Sequence, residues 1–211
     1  MAGLKMFFKE NTLEAGIDEA GRGPLFGPVY VAAVIIPPDD TFNQPFIKDS
    51  KKLSEKKREM AYDFIIENAI DYSIVPCGSK EIDKHNILQS TINSMHNAVN
   101  KLLVTPEHLL VDGNYFNTHT SNPISYTCIK GGDNKYASIA SASILAKVSR
   151  DRYIKNLCEN YPLLDEYYGI KSNKGYGAKI HLEGIKKYGI TRWHRKSFGI
   201  CKSMKKFAKL I

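Results

Sequence analysis

The sequence predicts an α/β protein, and three observations lead there. Short apolar runs of β-branched character recur along the 211-residue chain and read as strands. Between them, apolar residues return near a 3.6-residue period, the mark of amphipathic helices. Acids and glycines stand at the ends of the apolar runs. With 43% hydrophobic content and no low-complexity tract, the chain is long enough for one substantial core, and one main domain is expected.

Taken in order, Leu13 to Asp18 and Val29 to Ile36 read as the opening strands, the second apolar enough to be buried on both faces. Pro37 and Pro38 end that pairing, and a polar connection follows to Lys48. Ser54 is placed to cap a helix running through Met60, Phe64 and Ile65 to about Asn68, and Tyr72 to Cys77 reads as a short strand. Ile82, Ile87, Ile92, Met95, Val99 and Leu103 keep a helical period. They predict one long helix from Glu81 to Leu103, with His85 and His96 off its stripe and facing solvent. Beyond Pro106, His108 to Asp112 and Ile124 to Ile129 read as strands, the second running into Lys130-Gly-Gly-Asp133. From Tyr136 to about Cys158 a run rich in alanine and serine suits a helix packed closely on the sheet, and a last helix is expected near His181 to Tyr188.

The formal charge of +8 and a pI near 9.2 favour a polyanionic partner, although a basic balance is also an ordinary solvated surface. Cys77, Cys128, Cys158 and Cys201 form no CxxC pair, so reduced thiols are expected rather than a zinc knuckle or disulfide framework. The N-terminus, broken by Lys5 and Lys9, has no signal-peptide core, and no run approaches a transmembrane span. A soluble cytoplasmic protein is the expectation.

The chemistry concentrates in Gly16-Ile-Asp-Glu-Ala-Gly-Arg-Gly-Pro-Leu-Phe-Gly-Pro28. Asp18 and Glu19 run into a turn in which Gly21, Gly23 and Gly27 admit unusual backbone angles and close approach of a ligand. Two adjacent like charges beside a core raise each other's pKa unless a cation is supplied. Asp112 and Asp133 repeat the placement, an acid at a strand end beside glycine or a turn residue. Oxygen ligands without histidine or cysteine suit Mg²⁺ or Mn²⁺, and paired ions of that kind cleave phosphodiesters. Asp112-Gly and Asp133-Asn are also common turn dipeptides, so either alone reads as structure rather than as a ligand. The glycine turn is no nucleotide fingerprint: no GK[ST] follows Gly21-Arg22-Gly23, and the next glycine is Gly27.

Together these residues resemble a known family. Asp18-Glu-Ala-Gly-Arg-Gly-Pro24 is similar to the signature of the bacterial type 2 ribonucleases H, ribonuclease HII. Further motifs follow in that family's order: Asp49-Ser-Lys-Lys-Leu53, Val111-Asp-Gly113, Ala142-Ser-Ile-Leu-Ala-Lys-Val148, Asn173-Lys-Gly-Tyr-Gly177 and His194-Arg-Lys-Ser-Phe198. The sister family, ribonuclease HIII, begins its turn without Gly-Arg-Gly. One departure is Lys130-Gly-Gly-Asp133, where the family usually has Lys-Gly-Asp; the spacing from Asp133 to Ser143 still fits.

The resemblance implies a ribonuclease H-like fold, a mixed central sheet flanked by helices with a small helical C-terminal region. It places the catalytic core at 1–160 and a substrate-binding region at 161–211, packed as one unit. It implies hydrolysis of the RNA strand of RNA/DNA hybrids, and cutting 5′ of single ribonucleotides in duplex DNA to leave 3′-hydroxyl and 5′-phosphate ends. Asp18, Glu19, Asp112 and Asp133 would hold two divalent ions, Mg²⁺ or Mn²⁺. Gly21, Arg22 and Gly23 would read the 2′-hydroxyl, Tyr176 would stack on a sugar, and Lys51 and Lys52 would hold phosphates. Arg195 and Lys196 are further candidates for phosphate contact, Asp151 for pairing with Arg150 or Arg152, and His181 and His194 for structural hydrogen bonds. No membrane and no obligate protein partner are expected, and the chain reads as a monomer. A silent hybrid-binding protein and a DNA nuclease of the same fold are the competing readings.

Overall fold

The alternation read from the sequence becomes one mixed sheet. In the computed structural model, which describes residues 4–38, 42, 44–47, 50, 53–117 and 124–208, Lys51 and Lys52 lie outside the described residues. The chain runs β1 (Glu14–Ala20), β2 (Val29–Ile35), α1 (Glu55–Asn68), β3 (Asp71–Cys77), α2 (Ser79–His85), α3 (Ile87–Asn100), β4 (His108–Asp112), β5 (Ser125–Ile129), α4 (Ala137–Asn160), α5 (Leu163–Tyr168), α6 (Ile170–Asn173) and α7 (Lys179–Tyr188). The strands lie in the order β3-β2-β1-β4-β5. β1 is antiparallel to β2 and parallel to β4, and β4 is parallel to β5.

Cα packing divides the chain into two interleaved units, 1–20, 30–75 and 92–148 in the first, 21–29, 76–91 and 149–211 in the second.

In the first unit the period-two alternation of β2 sorts its side chains onto two faces. Ala32 and Val34 pack with Ala61 and Ile65 of α1 and with Ala140 and Ile144 of α4. Val31, Ala33 and Ile35 pack with Met95 and Ala98 of α3. The small residues of α4 bring it onto the strand backbone: a Cβ added to Gly16 would stand 2.2 Å from the Ser138 carbonyl carbon. α1 starts where expected, with the Ser54 hydroxyl accepting from the Lys57 N–H.

The second unit has its own core, in which Phe26, Ile154, Leu164, Tyr168 and Ile185 are buried together. Here α5 and α7 touch through backbone, since a Cβ on Gly184 would lie 2.0 Å from the Tyr167 carbonyl oxygen.

Two expectations need correction. The single helix from Glu81 to Leu103 is two helices, α2 and α3, separated at Asn86 with φ 62°. The Asn86 side chain accepts from the Gln89 N–H at 3.0 Å and so starts the second helix. The apolar period runs through this break because its two parts serve different clusters. Ile82 and Ile87 pack with Val29 and Cys77, whereas Met95 and Ala98 pack with Ile17 and Val111. His96 is half-buried rather than solvent-facing, its ring 4.9 Å from that of Phe116, while His85 is exposed. All four cysteines are free, with Cys77, Cys158 and Cys201 buried.

Candidate active site

The acids of the first unit meet because of strand register. β1 and β4 run parallel with Ile17 opposite Val111, so Asp18 and Asp112 are the next residues on neighbouring strands. Asp112 in turn lies opposite Ile129, the last residue of β5, and the chain leaving β5 carries Asp133. Carboxyl ends of parallel strands are where open α/β sheets place their ligands.

Asp18 is buried, and its carboxyl is held well above the usual carboxylate range. Desolvation contributes most, then repulsion by Glu19 and by Asp112, while hydrogen bonds from Ser143 and the Glu19 backbone pull the other way. Glu19 follows on a strand whose successive side chains face opposite ways, and it is half-exposed. The Asp112 carboxylate accepts the Gly132 N–H at 2.7 Å. Asp133 is buried in the short 3₁₀ turn Gly132–Asn134, with Oδ1 accepting from the Asn134 amide at 3.0 Å.

That turn explains the extra glycine of Lys130-Gly-Gly-Asp133. Gly131 takes a left-handed conformation at φ 63°, and a Cβ on Gly132 would sit 2.4 Å from Ile139 Cδ1 and 3.4 Å from the Asp112 carboxylate. The two glycines therefore let the chain turn tightly between β5 and Asp133, with Gly132 against the Asp112 carboxylate. Lys130 is exposed, and its carbonyl accepts from Lys135 Nζ at 2.8 Å.

Among the described residues no three His, Cys, Asp or Glu side chains close round a point as a finished metal cage. Glu19 and Asp112 instead stand close enough to Asp18 to repel its charge, and all three offer oxygen donors. A buried carboxyl pushed up by two neighbouring carboxylates fits a hard divalent cation, which would relieve both the burial and the repulsion.

The second unit carries Gly21, Arg22, Gly23 and Tyr176. Gly21 has φ 94°, Arg22 and Gly23 are exposed, and a Cβ on Gly23 would stand 3.5 Å from the ring of Tyr176. Tyr176 is half-exposed, on a loop in which Gly175 accepts through its carbonyl from the Leu25 N–H at 2.9 Å. Beneath the glycine turn lies Arg195, fully buried, which donates to the carbonyls of Gly27, Arg22 and Gly21 at 2.9, 2.8 and 2.6 Å. Its burial overturns the expectation of phosphate contact through Arg195. Arg150 is buried as well and donates to the carbonyls of Pro28, Phe26 and Lys174.

His181 and His194 have the structural hydrogen bonds expected of them. His181 Nδ1 is 2.8 Å from the Tyr176 carbonyl oxygen, which can only accept. The neutral ring therefore accepts at Nε2 from His194 Nε2, 3.1 Å away, and His194 Nδ1 accepts from the Thr191 N–H at 2.9 Å. Both rings are held below the ordinary histidine range by burial. For His194 the neighbouring His181 adds to this and takes its pKa down to about 3.

Sequence reasoning did not single out Ser143, Arg150 or the carbonyl-gathering role of Arg195. Ser143 and Arg195 sat inside quoted motifs, but a motif does not say that a serine faces an acid or that an arginine faces inward.

Residues 15–201 match the family model described as Ribonuclease HII. The chain belongs to the ribonuclease HII family. It is 46% identical to the ribonuclease HII of Parabacteroides distasonis over 92% of this chain and 94% of that one. With the ribonuclease HII of Bacillus cereus it shares 49% identity over 95% of this chain and 77% of the relative. Among solved structures, the crystal structure of ribonuclease H2 from Pyrococcus horikoshii superposes with a TM-score of 0.76 at 27% identity, covering 90% of this chain and 95% of that one. The fold is accordingly ribonuclease H-like, and the protein is a type 2 ribonuclease H, a metal-dependent endonuclease.

Proposed function

We propose that this ribonuclease acts on RNA/DNA hybrids and cuts on the 5′ side of single ribonucleotides embedded in duplex DNA, leaving 3′-hydroxyl and 5′-phosphate ends. The observation that carries the reading is the strand register, which sets Asp18 beside Asp112, with the Asp18 carboxyl held up by burial and then by the neighbouring acids. Asp18, Glu19, Asp112 and Asp133 are the residues that would hold two divalent ions, Mg²⁺ or Mn²⁺. Such ions supply the Lewis acidity that activates water and stabilises the leaving oxygen.

The protein's own groups do the rest. The Ser143 hydroxyl hydrogen-bonds Asp18 and keeps a share of its negative charge in place. The Gly132 N–H does the same for Asp112. Gly21, Arg22 and Gly23 read the 2′-hydroxyl, the group that separates RNA from DNA. Tyr176, exposed beside Gly23, offers a ring face to the sugar of the following deoxynucleotide. Lys51 and Lys52 hold phosphates and read no base. The excess of basic residues attracts the polyanion without selecting its sequence. The protein works as a monomer in the cytoplasm, and among the described residues no helix is long and apolar enough to cross a membrane.

The deciding experiment is cleavage, with Mg²⁺ or Mn²⁺, of a DNA duplex containing one ribonucleotide, resolved to the nucleotide. The expected product ends at the phosphate 5′ of the ribonucleotide. An intact substrate would leave only a hybrid-binding protein, and equal cutting of an all-DNA duplex would select a DNA nuclease.

A further inference from the structure

The turn from Gly21 to Pro28 keeps almost none of its carbonyls for itself. Those of Gly21, Arg22 and Gly27 accept from the Arg195 side chain, that of Leu25 from the Arg195 backbone N–H, and those of Phe26 and Pro28 from Arg150. Arg150 comes from α4, and its Nη2 also reaches the carbonyl of Lys174, two residues before Tyr176. One guanidinium nitrogen thus ties the glycine turn to the tyrosine loop.

The direction of these bonds has a geometric consequence. No peptide bond here is cis, and in a trans peptide the N–H points opposite to the C=O of the same unit. With the Gly21 and Arg22 carbonyls drawn inward, the N–H groups of Arg22 and Gly23 face outward, at two residues that are exposed. Two like charges buried this close are costly to keep for packing alone. Burial and the neighbouring Arg150 take the Arg195 guanidinium down to about 9, still protonated at neutral pH.

We propose that Arg195 and Arg150 are positioning residues for ribose selection: they gather the inward carbonyls of Gly21–Pro28, aim the Arg22 and Gly23 amides at the sugar, and fix the turn's spacing to Tyr176. This rests on the reading of Gly21 to Gly23 and Tyr176 given above. Neither guanidinium touches the substrate. A lysine at either position keeps the charge but offers one nitrogen, which cannot serve carbonyls spread along a turn as the planar fork does.

The test compares wild type with Arg195→Lys and Arg150→Lys. Binding is measured in Ca²⁺, without cleavage, to a duplex containing one ribonucleotide and to the same duplex in all-DNA form. Each variant is expected to bind the all-DNA duplex within twofold of wild type. Its preference for the ribonucleotide should fall at least tenfold, with KM affected more than kcat in Mg²⁺. A folded variant that keeps the wild-type preference overturns the positioning role. A wild type with no preference overturns the ribose reading itself, and the positioning role with it. Should both variants fail to fold, the unsubstituted protein decides through the Nε–H resonances of Arg150 and Arg195. Slow-exchanging signals that respond to the ribonucleotide duplex and not to the all-DNA duplex support the role. An identical response to both duplexes overturns it.

Discussion

At Asp18 a carboxyl group is kept where water cannot easily solvate its charge, beside two more carboxylates. Its pKa is raised on folding, so the stability linked to it is present at low pH and is lost as pH rises through the folded-state value. Its ionised form is therefore a burden on the metal-free protein. Asp18→Asn is expected to abolish cleavage and yet raise the metal-free melting temperature at pH 7.5 by roughly 2–4 °C, the scale of 1 kcal/mol in a protein of this size. Mg²⁺ should stabilise the wild type more than the variant. Melting curves with Mg²⁺ and with chelator check both statements, and a variant no more stable than wild type would contradict the electrostatic account. His194 has the opposite sign. Its pKa is lowered to about 3 by burial and by His181, so the unfolded chain binds the proton more readily and stability falls as pH drops below about 6.5. Urea unfolding should show about 2 kcal/mol lost from this group between pH 7.5 and 5, and His194→Asn should flatten that slope.

At the scale of elements, β1 and the start of α4 approach through backbone, where Gly16 faces Ser138. No side-chain rotation can relieve a Cβ placed 2.2 Å from a carbonyl carbon, so helix and strand must separate. Gly16→Ala should cost roughly 3 kcal/mol, near the upper end for overpacking. Gly132→Ala should cost less, because its clash is with the tip of Ile139. It should nevertheless lower activity, since that turn carries Asp133 and bonds Asp112. Unfolding midpoints together with cleavage rates separate the two effects. A Gly16→Ala protein of unchanged stability would mean that α4 does not pack as described.

At the scale of the whole molecule, the net charge of +8 sets the long-range behaviour toward nucleic acid. Binding of a hybrid to the cleavage-deficient Asp18→Asn protein should weaken linearly in log–log form with salt, through counterion release. For about six phosphate contacts the loss is roughly a thousandfold between 50 and 200 mM salt. Fluorescence anisotropy over that range measures the slope, and a flat response would remove phosphate contact as the main source of affinity. Lys51→Ala and Lys52→Ala should each reduce the slope by about one.

Much of this was legible in the chain itself. Ser54 announces its helix, His108 to Asp112 announces its strand, and the four acids and the glycine turn are readable as residue types beside local breaks in pattern. Such signals are short-range, carried by backbone propensity and by the chemistry of immediate neighbours. What only the tertiary structure decided is long-range. The parallel pairing of β1 with β4 sets Asp18 beside Asp112, and periodicity is blind to partner choice. Asn86 splits one apolar stripe between two clusters, which no window of sequence separates. Arg150 and Arg195 look like surface cations until the turn they hold is folded around them, because an arginine is buried only where enough carbonyls converge on it.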